Sequence, residues 1–145
     1  MPSFLPDTTC LIAAVCSWHE HHERTVKEIE RRLRQGDSMI IAAPALVEAY
    51  AVLTRLPPPH RLSPSDAITL LDANFMRGVK VIALDERSYR KLLRQAPNLG
   101  IAGGRAYDAV IASCAVKGKA RVVLTFNERD FLPFTEDEIE VVVPD

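Results

Sequence analysis

The chain has 145 residues, 48% of them hydrophobic and 26% charged, the size and make-up of one ordinary globular domain with enough apolar side chains for a core. Its 18 Lys and Arg against 19 Asp and Glu leave a net charge of −1, so the surface as a whole does not advertise a polyanion partner and any nucleic acid would have to be held locally. No apolar run approaches the roughly 20 residues of a membrane helix, the first one lacks the basic flank of a secretory leader, and Cys10, Cys16 and Cys114, without CxxC spacing, read as buried thiols in a reducing cytoplasm rather than a zinc site or disulfide frame.

Ser3-Phe4-Leu5 opens a short strand that should finish at Pro6, because proline has no amide to give a central ladder. Residues 8–15 then suit a short helix. Residues 20–35 place Val26, Ile29 and Leu33 on one helical face. Four acid-to-base pairs at i,i+4 support that helix (Glu20–Arg24, Glu23–Lys27, Glu28–Arg32 and Glu30–Arg34), each worth about 0.2–0.5 kcal/mol. Gly36-Asp37 ends it. Met39-Ile40-Ile41-Ala42 reads as a second strand, and Pro44 fits the first turn of a helix that runs to about Leu56, where Pro57-Pro58-Pro59 stops it.

Residues 57–63 form a loop within the same regular alternation. Ser63 caps a helix with Pro64 in its first turn, ending near Gly78. Residues 79–84 form a third strand, Asp85 caps a helix to about Gln95, and residues 97–104 form a Gly-containing loop. A helix over 105–116 and strands over 121–126 and 140–143 complete the chain. The strands are continuously apolar and alternate with helices, which indicates a parallel sheet covered on both faces. The expected fold is a single three-layer α/β/α domain over residues 1–145, with a mostly parallel five-stranded sheet.

Asp7 and Asp130 fall just beyond the first and fourth strands, Glu48 one turn into the helix after the second, and Asp108 in the first turn of the helix that returns to the fourth. Ligands of open α/β sheets bind beyond the carboxyl ends of the strands, so the four acids should gather at one edge. Crowded carboxylates repel, which raises some of their pKa values. A divalent cation relieves that repulsion, Mg²⁺ taking one or two carboxylates, waters and substrate phosphate oxygens. Two such ions about 3.5–4 Å apart could stabilise the attacking and leaving oxygens of a phosphodiester displacement. Capping competes with this reading, because acids near helix starts are favoured by the macrodipole. Asp85 also follows a strand and caps a helix, and spacing alone does not separate it from the other four.

The segments Pro6-Asp7-Thr8-Thr9-Cys10-Leu11-Ile12-Ala13, Pro44-Ala45-Leu46-Val47-Glu48, Arg105-Ala106-Tyr107-Asp108-Ala109-Val110-Ile111-Ala112 and Leu124-Thr125-Phe126-Asn127-Glu128-Arg129-Asp130-Phe131 resemble, in order and spacing, the successive motifs of PIN-domain ribonucleases. More narrowly, the chain resembles the VapC toxins of bacterial and archaeal toxin–antitoxin pairs, over essentially its whole length. The resemblance implies a PIN-like fold, dependence on Mg²⁺ or Mn²⁺, endonucleolytic cleavage of RNA by metal-activated water, a cognate antitoxin, and a homodimer or hetero-oligomer. By position it makes Asp7, Glu48 and Asp108 metal ligands and Asp130 the fourth acid, with Thr9, Thr125 and Asn127 orienting carboxylates or water. Asn127 stands where some members have Asp, so the resemblance implies one tight metal and a second that binds only with RNA.

Arg105, three residues before Asp108, is the cation placed for a substrate phosphate, with a salt bridge to a neighbouring acid as its rival role. Trp18-His19-Glu20-His21-His22 resembles a metal tract, but no convergent partner is evident and an exposed helix start is the plainer reading. Arg24, Lys27, Arg31, Arg32 and Arg34 could line an RNA path, although their Glu partners favour a solvated face. Leu53, Leu56 and Leu62 serve either an exposed groove for an antitoxin segment or simple helix packing. Phe131, Leu132 and Phe134 should close the end of the sheet. Two rival functions remain: an aspartate-based phosphatase or receiver-like domain with Asp7 as nucleophile, disfavoured because residue 9 is Thr and not Asp, and a non-catalytic module that binds RNA or protein.

Overall fold

The computed structural model describes residues 2–134 and 138–145, without the side chain of Phe134. Its elements run β1 (Ser3–Pro6), α1 (Thr8–Val15), α2 (His22–Arg34), β2 (Ser38–Ala42), α3 (Ala43–Leu53), α4 (Pro64–Phe75), β3 (Lys80–Ile82), α5 (Glu86–Leu99), α6 (Arg105–Lys117), β4 (Val122–Leu124), α7 (Glu128–Phe131) and β5 (Glu140–Val142), with a 3-10 turn at Leu132–Phe134. The strands lie in the order β3-β2-β1-β4-β5, and every neighbouring pair is parallel. Phe4, Leu5, Ile41, Val123 and Leu124 are fully buried. That is why these strands read as unbroken apolar runs: both faces of the sheet are covered. The two edges are blunted by exposed charge, Lys80 on β3 and Glu140 on β5.

Helices α1 to α4 pack on one another, and α5 and α7 pack on α6. Right-handed crossovers put these two groups on opposite faces, since β1, β2 and β3 step one way across the sheet and β4 and β5 step the other. The direction of travel therefore reverses beside β1. The carboxyl ends of β1 and β4 meet at that reversal, the place where open sheets form their ligand crevice.

Several boundaries differ from the sequence expectation, each for a local reason. Helix α2 starts at His22, two residues late, because residues 17–21 fold into turns held by the His19 amide on the Cys16 carbonyl and the His22 amide on the His19 carbonyl, both at 3.0 Å. Of the four i,i+4 pairs only Glu28–Arg32 closes, at 2.6 Å, and Arg31 joins the same carboxylate. Helix α5 runs through Pro97 to Leu99 and stops at Gly100, whose φ is +68°. Pro97 is tolerated because α5 buries none of its residues, so water can take the carbonyl that the missing amide leaves. Leu53 is fully buried and Leu56 and Leu62 pack against the core, which favours helix packing over an exposed groove for these three. Phe131 is buried, whereas Leu132 is 55% exposed and does not cap the sheet; the Phe134 side chain lies outside the described residues.

Gly118, just past α6, brings the backbone against the sheet. A Cβ there would sit 2.7 Å from Ile40 Cδ1 and 3.1 Å from Ile82 Cγ1, on β2 and β3. Gly118→Ala should therefore overpack this corner and cost about 1–3 kcal/mol. Urea unfolding checks it: the midpoint should fall while the slope stays unchanged.

Candidate functional site

Asp7 is the first residue after β1 and the N-cap of α1. Its Oδ1 accepts the Cys10 amide at 3.0 Å and the Thr9 hydroxyl at 2.6 Å, and its Oδ2 accepts the Thr125 hydroxyl at 2.5 Å. The Thr9 oxygen in turn accepts the Phe126 amide at 3.2 Å, and the Thr125 oxygen accepts the Asn127 amide at 2.8 Å. A polar node therefore ties the end of β1 to the end of β4. A carboxylate offers about four acceptor sites; three are taken here, and the open one is on Oδ2. Asp7 is 1% exposed. Burial pushes its pKa up, and the bonds from Thr125, Thr9 and Cys10 pull it back only in part.

A cleft of about 440 Å³ opens beside this node, lined by Asp7, Thr8, Thr9, Glu48, Arg105, Asp108, Asn127 and Asp130 among others. Each acid arrives from a different element. Glu48 comes from α3, which starts directly off β2 because Pro44 is already shaped for a first turn. Asp108 is the fourth residue of α6, whose N-cap is Gly104, so it is not itself the cap. Asp130 lies on the short α7 after β4. Asp108 carries the mark of this company: its pKa rises from 3.8 to about 6, first through desolvation and then through the charges of Asp7, Asp130 and Glu48, with Arg105 opposing. Arg105 also donates to the Gly100 carbonyl at 3.5 Å.

The donor set fits a hard divalent cation, being all carboxylate oxygen with negative charge in excess over the one cleft-lining arginine. A second observation agrees. Thr8 lines the same cleft, and its buried hydroxyl has no hydrogen-bond partner among the described residues. Among the described residues, however, no three Asp, Glu, His or Cys groups are drawn tightly around one point. Glu48, Asp108 and Asp130, each half-buried, would have to close further on Asp7 to hold an ion there.

The competing candidates fall elsewhere. Asp85 is exposed and caps α5 through the Ser88 amide at 2.9 Å, away from the cleft lining. In the histidine tract, Nδ1 of His19, His21 and His22 meets the His21 amide, Arg24 and the Ala13 carbonyl respectively, and among the described residues no three ligand groups there gather around one point. Thr8 was missed by sequence reasoning, because two adjacent threonines after Asp7 give no signal of which one lacks a partner.

The family model described as PIN domain matches residues 4–134. Ribonuclease VapC40 of Mycobacterium tuberculosis is 36% identical over 118 residues, spanning 81% of this chain and 82% of that protein. Ribonuclease VapC27 of the same species is 34% identical over 110 residues, spanning 76% of this chain and 67% of that protein. The solved structure of VapBC2 from Rickettsia felis, bound to a DNA fragment from its promoter, covers 99% of both chains with a TM-score of 0.68 at 18% identity, a likeness of fold.

The raised pKa of Asp108 means that ionising it costs folding free energy. Its favourable contribution is complete below pH 3.8 and is lost as pH rises through about 6. In EDTA, Asp108→Asn should raise the melting temperature near pH 7.5 by a few degrees, about 1 kcal/mol after discounting for solvent screening, and should have no such effect at pH 4. Thermal scans at the two pH values check this. Thr125→Val, nearly isosteric, should instead destabilise by about 1–3 kcal/mol in urea, because a buried carboxylate loses a donor.

Proposed function

The chain belongs to the PIN-domain family and to the VapC ribonucleases within it, and from that premise we propose that it is a Mg²⁺- or Mn²⁺-dependent endoribonuclease, the toxin of a VapBC-type pair. The observation that carries the reading is the buried, triply hydrogen-bonded Asp7 with Glu48, Asp108 and Asp130 in its cleft. When bound, the cation would lower the pKa of an adjacent water and offset charge developing at phosphorus.

The chain's own residues supply the rest. Asp7 is the fixed ligand, offering the single open site on Oδ2, while Thr9 and Thr125 keep it from turning. Glu48 and Asp108 complete the grip from the facing helices, and Asp130 is the fourth acid, with Asn127 beside it in the cleft lining. Arg105 is the cation that lines the cleft, and its fork matches the geometry of a phosphate. The same geometry weakens the phosphatase reading: a carboxylate at 1% exposure with three acceptor sites filled is badly placed to swing onto a phosphorus atom. A binding module without catalysis has no reason to gather Asp7, Glu48, Asp108 and Asp130 in one cleft.

The partners follow from the same family. A cognate antitoxin would mask the cleft, and the active unit would be a homodimer that assembles with it. The Rickettsia felis relative, solved as VapBC2 on promoter DNA, is the analogy for that assembly. The three cysteines are free and buried, which suits a cytoplasmic protein, and among the described residues no helix is long and apolar enough to cross a membrane.

Cleavage of structured RNA tests the assignment. Wild type should cut with Mg²⁺ or Mn²⁺, EDTA should abolish cutting, and Asp7→Asn or Asp108→Asn should lower the rate by orders of magnitude. Asp85→Asn, which keeps a good cap, should leave it unchanged. Equal rates for wild type and the two cleft variants would sink the reading, and transfer of label from a phosphoryl donor onto Asp7 would favour the phosphatase.

A further inference from the structure

Rings from three separate segments line up and end at Phe126, the residue before the cleft-lining Asn127. His60, from the loop after α3, stacks on Trp18 with centroids 4.0 Å apart and planes 23° apart. His21 stacks on Phe126 at 4.3 Å and 15°. His19 sits between the two pairs, 5.8 Å from Trp18 and 5.5 Å from His21. Arg24 closes the row, its guanidinium 5.5 Å from the Phe126 centroid and its Nε 3.1 Å from His21 Nδ1. The row is surface structure and not core, since Trp18 is 47% exposed and the histidines are half-buried. It is also held rigid, because the His21 amide donates to His19 Nδ1 at 3.0 Å.

The row leads into the catalytic node. Phe126 lies between Thr125 and Asn127, and its amide donates to the Thr9 hydroxyl that holds Asp7. The cleft itself repels a nucleic-acid backbone, with four acids against Arg105, and the net charge of −1 gives no general attraction to one. Substrate affinity must then come from contacts that do not depend on net charge. Stacking is such a contact, and every base has a face for it.

We propose that the row Trp18–His60–His19–His21–Phe126 is a stacking track for unpaired RNA nucleotides flanking the scissile phosphate, with Trp18 as its exposed platform and Arg24 supplying positive charge near the cleft. The inference rests on the ribonuclease reading for its ligand class. Its sense is substrate binding, not catalysis: the rings position the strand, and the acids act on it.

Trp18 is the one tryptophan in the chain, so the protein's intrinsic emission reports on the platform directly and without cleavage. Wild type in EDTA is titrated with a single-stranded oligoribonucleotide, with a duplex of equal length, and with inorganic polyphosphate. Saturable quenching by the single strand, weak quenching by the duplex and none by polyphosphate are expected. Labelled-RNA anisotropy should show binding weakened about 10-fold or more in Trp18→Ala and retained in Trp18→Phe. With Mg²⁺, Trp18→Ala should raise KM while kcat stays near wild type. Unchanged RNA affinity in Trp18→Ala overturns the proposal, as does quenching by polyphosphate or duplex equal to that by the single strand. Loss of cleavage in every metal with quenching intact would remove the nuclease reading and leave the stacking track standing.

Discussion

The bond between the Asp7 carboxylate and the Thr125 hydroxyl, 2.5 Å long and joining residues 118 positions apart, is the constraint on which the site depends. A carboxylate taken out of water is costly unless donors replace the lost hydration. The chain supplies three donors from two directions, Cys10 and Thr9 from the start of α1 and Thr125 from the end of β4. Asp7 can be buried only where β1 and β4 are neighbours, so the charge depends on the strand order. The two hydroxyls are in turn fixed by the amides of Phe126 and Asn127. No long, floppy side chain takes part, which is what a precisely held ligand needs.

Around that fixed point the other acids are looser, and the difference has a physical logic. Asp7 is held by the fold whether or not a cation is present. Glu48, Asp108 and Asp130 are half-buried, on three different helices, and close on no common point among the described residues. The pKa of Asp108 is raised to about 6, first by desolvation and then by the charges of Asp7, Asp130 and Glu48, so the cleft disfavours its ionised form. Positive charge placed in such a cleft would relieve that penalty. The same excess of negative charge makes the cleft a poor docking place for RNA on its own, which moves the burden of substrate affinity onto neighbouring surfaces such as the ring row.

Much of the fold was legible in the sequence because the strands are short apolar runs and the turns carry strong punctuation. Pro6, Pro44, Ser63 and Pro64 marked starts and stops that agree with β1, α3 and α4. The misreadings share a cause. The sequence places residues 97–104 in a loop, yet Pro97 lies inside a helix that has no buried face and tolerates the lost bond. The salt-bridge ladder on α2 was counted from spacing, but His21 takes Arg24 and Arg34 reaches only a backbone carbonyl. Leu53 suited a partner groove or helix packing equally by sequence, and it is buried in the core. In each case a local rule met a tertiary fact that periodicity does not carry. Thr8 and the ring row belong to the same class, since stacking between His60, Trp18 and Phe126 joins segments that no motif links.

Asp7 and Asp85 make the sharpest comparison. Both follow a strand, both cap the next helix, and both accept the amide three residues on, at 3.0 Å and 2.9 Å. Their local chemistry is the same, and their titration is opposite in sign. Burial raises Asp7 despite its donors, while the Ser88 bonds lower the exposed Asp85. The difference lies in the strands they leave. β1 is central, with β2 on one side and β4 on the other, so Asp7 emerges under a roof made by the end of β4. β3 is an edge with one neighbour, so Asp85 emerges into water. A helix cap becomes a candidate metal ligand when the strand before it stands at the reversal of the sheet, and that property belongs to the order of the strands and not to any stretch of residues around the acid.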